Sequence, residues 1–128
     1  DGVQISGNKA TGNGGGVYNN AKGIFTMDGG QLSYNAAGNV GQGGGLYSEG
    51  AATLDQGLTV EGNSANQGGG LRLQTGSTTA INTITVDGNK YFGTNPIGKG
   101  ILQANGAMLN PAPVNLTDND DPNGPVQG

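Results

Sequence analysis

The sequence predicts an all-β protein: a right-handed parallel β-helix, a solenoid of four to five coils with about 27 residues and three short strands in each. Three observations carry this expectation. A glycine triplet recurs along the chain, a second motif ending in asparagine recurs in step with it, and the apolar residues between them alternate at period two.

The triplet stands at Gly14-Gly15-Gly16-Val17, Gly43-Gly44-Gly45-Leu46 and Gly68-Gly69-Gly70-Leu71, and in degraded form at Gly98-Lys99-Gly100-Ile101. The second motif ends at Asn8, Asn35, Asn63, Asn89 and Asn119. Together they divide a single domain into a partial coil at 1–13 and coils at 14–42, 43–67, 68–97 and 98–128. Within a coil, the first strand begins at the aliphatic residue after the glycines: Val17, Leu46, Leu71 or Ile101. A polar turn leads to a second run containing Met27, Leu54, Ile81 or Leu109. The third run alternates, with Leu58 and Val60, Ile84 and Val86, or Val114 and Leu116 on one face.

Coils stacked at the ordinary strand spacing of about 4.8 Å bring equivalent residues into ladders. The inward ladders are expected to be Val17–Leu46–Leu71–Ile101 and Ile5–Leu32–Val60–Val86–Leu116. Ala10, Ala37 and Ala65 suit a tight corner just after the asparagine. Right-handedness is expected because left-handed solenoids run on hexapeptides, and nothing here repeats every six residues. Glycine at the triplets supplies unusual backbone angles and close approach between coils. The asparagines are structural, either as plain turn residues, the simpler reading, or as a stacked side-chain amide ladder.

Composition narrows the function. Glycine makes up 28 of 128 residues, only 11% are charged, and the net charge is −4. The five cations, Lys9, Lys22, Arg72, Lys90 and Lys99, are scattered, which argues against nucleic acid as a partner. No apolar run approaches the roughly 20 residues of a membrane-spanning helix. With no cysteine there is neither a disulfide nor a thiolate metal site.

The two motifs resemble the paired short repeats of the chlamydial polymorphic outer membrane proteins, in which Gly-Gly-Ala-aliphatic alternates with Phe-x-x-Asn. Wider kin are autotransporter passengers and bacterial β-helix repeat proteins. Here Gly16, Gly45 and Gly70 stand where that family has alanine, and Ile5, Leu32, Val60, Val86 and Leu116 where it has phenylalanine. The resemblance runs from Ile5 to Asn119 and implies a β-helix at a bacterial cell surface, with adhesion as its role.

Few motifs carry chemistry. Gly93–Gly100 matches a phosphate-binding loop apart from its final hydroxyl residue, but a strand position follows where that motif needs a helix. Asp118, Asn119, Asp121 and Asn123 resemble the opening of a calcium loop without its bidentate glutamate, so Ca²⁺ is the one cofactor to test, against a plain turn. Asp28, Asp55 and Asp87 read as scattered turn residues, which places a polysaccharide-active enzyme behind the non-catalytic readings. Tyr18, Tyr47 and Arg72 are expected to stack on one outward face, as cross-strand pairs or as a contact patch with a cation–π component. Tyr91 and Phe92, placed in a loop, are further contact candidates.

The functional expectation is an extracellular or cell-surface protein of structural or adhesive role, binding a host protein or glycan. It would be a segment of a longer adhesin or passenger. The alternative is a filament subunit whose partner is itself, stacked head to tail through open end coils.

Overall fold

Each strand takes its partner from the neighbouring coil and not from the strand next to it in the chain. The computed structural model describes residues 2–91, 100–103, 108–111, 114–117 and 126–127. Its strands are β1 (Gln4–Ser6), β2 (Val17–Asn19), β3 (Ile24–Asp28), β4 (Gln31–Ser33), β5 (Leu46–Ser48), β6 (Ala51–Asp55), β7 (Thr59–Glu61) and β8 (Ser64–Ala65). They continue as β9 (Leu71–Leu73), β10 (Thr78–Ile81), β11 (Ile84–Asp87), β12 (Lys90–Tyr91), β13 (Ile101–Gln103), β14 (Met108–Pro111), β15 (Val114–Thr117) and β16 (Val126–Gln127). The described residues form no helix.

Three long sheets run along the axis, in the orders β1-β4-β7-β11-β15, β3-β6-β10-β14 and β2-β5-β9-β13-β16. Every pairing is parallel and joins equivalent positions of successive coils, which makes the chain a parallel β-solenoid. Both expected apolar ladders form in register. Val17 pairs with Leu46, then Leu71, then Ile101. Ile5 pairs with Leu32, then Val60, Val86 and Leu116. The second run keeps register from Met27 through Leu54 to Ile81, but there Pro111, not Leu109, takes the next rung. The insertion between Tyr91 and Ile101 lengthens that coil, so the equivalent position cannot be read from a fixed repeat length.

The solenoid also has a short fourth side that the three-strand coil did not anticipate. β8 and β12 pair just after the asparagine, with Ser64 opposite Lys90 and Ala65 opposite Tyr91. Ala37 and Ala65 are buried at this corner.

Leu46, Leu54, Leu58, Leu71, Leu73 and Val60 are fully enclosed in one continuous core. Each such side chain contributes about 1.5–3 kcal/mol by leaving water.

Beside this apolar core runs a ladder of amides, and here the structure departs from the plain-turn reading. Asn35, Asn63 and Asn89 are buried. The Asn8 Nδ2 donates to Asn35 Oδ1 at 3.1 Å, Asn35 Nδ2 to Asn63 Oδ1 at 3.1 Å, and Asn63 Nδ2 to Asn89 Oδ1 at 3.0 Å. Each of those oxygens also accepts the backbone N–H of the asparagine one coil earlier, at 3.0 Å. The second amide hydrogen of Asn35, Asn63 and Asn89 goes to the backbone oxygen of Ile5, Leu32 and Val60 respectively. Because a backbone N–H can only donate, it fixes which amide atom is oxygen. Asn35 and Asn63 therefore make two donor and two acceptor side-chain bonds each, with nothing buried and unpaired.

The glycine triplets make this ladder possible. The first residue of each, Gly14, Gly43 and Gly68, has a positive φ of 71°, 69° and 63°. The third lies against the amide of its own coil: a Cβ on Gly16 would come within 2.9 Å of Asn35 Nδ2, on Gly45 within 3.2 Å of Asn63 Cγ, and on Gly70 within 3.1 Å of Asn89 Cγ. The two sequence motifs are thus one structural unit, since glycine leaves the space that asparagine fills.

Candidate binding face

In strands β2, β5 and β9, Tyr18, Tyr47 and Arg72 occupy consecutive rungs of one column, the alignment expected from their positions after the glycines. The rung after Arg72 is Leu102. The rings of Tyr18 and Tyr47 stack with centroids 5.1 Å apart and planes inclined by 21°. Tyr18 is half exposed, whereas Tyr47 is buried between its neighbours at 4% exposure.

Period two places two more side chains on this face, because Glu49 and Gln74 follow Tyr47 and Arg72 by two residues. Sequence reading passed over both, although the alternation that picked out the tyrosines also marks them. The Tyr18 hydroxyl donates to Glu49 Oε1 at 2.9 Å. That bond to a carboxylate is the main reason the Tyr18 pKa is raised above its ordinary value. Arg72 Nη2 donates to Gln74 Oε1 at 3.0 Å, and Gln74 Nε2 donates to the Tyr47 hydroxyl oxygen at 2.9 Å. Arg72 is partly buried; desolvation lowers its pKa, and the neighbouring Tyr47 acts in the opposite direction. Its Nε is enclosed without a hydrogen-bond partner.

Other expected positions fall elsewhere. The Tyr91 backbone belongs to β12 and pairs with Ala65, so it is on a strand and not in a loop. Phe92 and the calcium candidates Asp118, Asn119, Asp121 and Asn123 lie outside the described residues, as do Asn119's ladder position and most of Gly93–Gly100. Ile101 begins strand β13.

The acidic residues are less scattered than their numbering suggests. Asp28 and Asp55 are register partners, and so are Glu61 and Asp87, because one coil is one repeat. Glu61 and Asp87 line a shallow groove of about 290 Å³ with Tyr34, Gly62, Gly88 and Lys90. Among the described residues no group of three or more histidine, cysteine, aspartate or glutamate side chains could hold a metal ion. Nor is any helix among them long and apolar enough to cross a membrane.

Fold and face together define the class: a parallel β-solenoid with an outward column of aromatic and polar side chains. No family model matches the chain, and no curated protein or solved structure matches it, so the resemblance to chlamydial and autotransporter repeats rests on the two motifs alone.

Proposed function

We propose that this chain is a non-catalytic structural and adhesive solenoid of the cell surface or extracellular space, akin to autotransporter passengers, which presents its β2-β5-β9 face to a host protein or glycan. The observation that supports the reading is the Tyr18–Tyr47 stack, continued in register by Arg72 and flanked by Glu49 and Gln74. Tyrosine and arginine combine large contact area with hydrogen-bonding tips, and they are enriched where proteins meet partners. A parallel sheet anchored on an apolar core and an amide ladder holds such side chains at fixed spacing, so little ordering entropy is lost on binding.

The test is adhesion of the purified chain to immobilised extracellular-matrix proteins and glycans. The double variant Tyr18→Ser, Arg72→Gln is expected to lose most of the adhesion, while Thr53→Asn, on the outward side of β6, keeps it. Adhesion that responds equally to both variants would overturn the assignment of the face.

A further inference from the structure

We propose that Tyr47, Arg72 and Gln74 form a receptor for a single carboxylate group of a ligand. The inference rests on the outward-face reading and names the chemistry that the face recognises.

The argument is one of donors and acceptors. An arginine guanidinium can only donate, so its bond to Gln74 Oε1 fixes the orientation of the Gln74 amide. The Nε2 side must then face Tyr47, and the Tyr47 oxygen must accept from it. The Tyr47 hydroxyl proton is therefore not spent on Gln74 and is left to donate elsewhere. Arg72 uses one N–H of its five on Gln74, and its Nε is enclosed without a partner. The cluster converges several donors, the Tyr47 hydroxyl and the Arg72 Nη hydrogens not spent on Gln74.

The charge lacks a carboxylate partner as well. Among the described residues no carboxylate acts on the Arg72 guanidinium, and the group that does is the Tyr47 phenol. The nearest acid on this face, Glu49, is held by the Tyr18 hydroxyl one coil away. A guanidinium drawn partly out of water without a counter-ion is an unfavourable arrangement that an incoming anion relieves. The flat fork of arginine matches the two oxygens of a carboxylate. One cation, in a chain of net charge −4 and beside Glu49, suits a monoanion better than phosphate or a polyanion.

Two sources present such a group, a sugar acid and a peptide carboxylate, and charged and neutral probe pairs separate them. Calorimetric or NMR titration would compare glucuronate with glucose, and acetylglycine with acetylglycinamide. At least one charged probe should bind with a Kd on the order of millimolar, at least tenfold tighter than its neutral twin, and the tighter charged probe identifies the source. Arg72→Gln should abolish that preference and Arg72→Lys should reduce it, because lysine lacks the fork. Tyr47→Phe should weaken binding several-fold while keeping the ring stack, and Glu49→Gln should strengthen it. Circular dichroism and the melting temperature confirm that each variant is folded. If neither charged probe outbinds its twin, or Arg72→Gln leaves the preference intact, the carboxylate assignment is overturned. Should adhesion still depend on Tyr18 and Arg72 in that event, the adhesive reading survives without it; a carboxylate preference without face-dependent adhesion removes only the adhesive reading.

Discussion

Two columns run parallel to the axis of this solenoid, and they obey opposite rules. The inner one repeats a single residue, Asn8–Asn35–Asn63–Asn89, and closes its hydrogen bonds rung by rung. The outer one, Tyr18–Tyr47–Arg72–Leu102, changes residue at nearly every rung and leaves Tyr47 and Arg72 with donors not spent on Gln74. The contrast is one of solvent. A buried amide must find its partners within the chain, and identical coils provide them only if the same residue stands at every level. In the outer column Tyr18 is half exposed and Arg72 only partly buried, so water meets their polar groups and residue identity there is available for recognition. Tyr47 and Leu102 are covered by their neighbours.

Breaking the inner column should have the largest effect. Asn63→Asp keeps the shape but places a carboxylate oxygen against Asn89 Oδ1 and removes the bond to the Leu32 carbonyl. Urea unfolding should show a loss of about 3–5 kcal/mol, the range for an uncompensated buried charge. A loss below about 1 kcal/mol would mean that the ladder does not hold the coils together.

Next comes the space that serves this column. Gly45→Ala puts a methyl group 2.6 Å from the Gly70 carbonyl and 3.2 Å from the Asn63 amide carbon, and should cost about 1–3 kcal/mol by overpacking. Gly12→Ala is the control, since a Cβ there meets nothing within 4 Å. It should be neutral or stabilising by about 0.5 kcal/mol. Equal effects at the two sites would remove the packing argument for the triplets.

A smaller change should go in the opposite direction. Thr79 occupies the inward position level with Ala52, and its hydroxyl is buried without a hydrogen-bond partner. Thr79→Val replaces that hydroxyl by a methyl of similar shape and should raise stability by about 1 kcal/mol. Thermal melts of the two proteins decide it; a lowered melting temperature would show that the hydroxyl is satisfied in solution.

The outer column responds least in stability and most in titration. The Tyr18 pKa is raised, chiefly by the Glu49 hydrogen bond, so the folded state favours the protonated phenol. That contribution is fully present below the ordinary value of 10.0 and disappears as pH rises through the higher folded-state pKa. Glu49→Gln should move the Tyr18 transition, followed by tyrosinate absorbance, to lower pH with little change in the neutral-pH melting temperature. An unmoved transition would mean that the bond does not persist in solution.

Much of this architecture was legible in the sequence, because a solenoid converts a linear repeat directly into neighbours. The ladders through Val17 and Ile5 follow from counting along the chain, and so does the alignment of Tyr18, Tyr47 and Arg72. Counting falters where coil length changes, as at Pro111, which takes the rung next to Ile81 in place of Leu109. It also conceals proximity when residues are judged by their numbers: Glu61 and Asp87 look remote and are adjacent rungs. Gln74 and Glu49 escaped notice because neither belongs to a repeated motif.

What the sequence by itself determined is the period, the inward apolar positions and the turn-forming residues, since these depend on local backbone preference and on burial that repeats from coil to coil. Only the tertiary structure decided that the asparagines bond to one another rather than merely turning the chain, that the third glycine of each triplet makes room for them, and that Gln74 joins Arg72 to Tyr47. Those outcomes depend on distances between side chains about 27 residues apart. A difference of an ångström there separates a ladder from a turn, and no local preference encodes it.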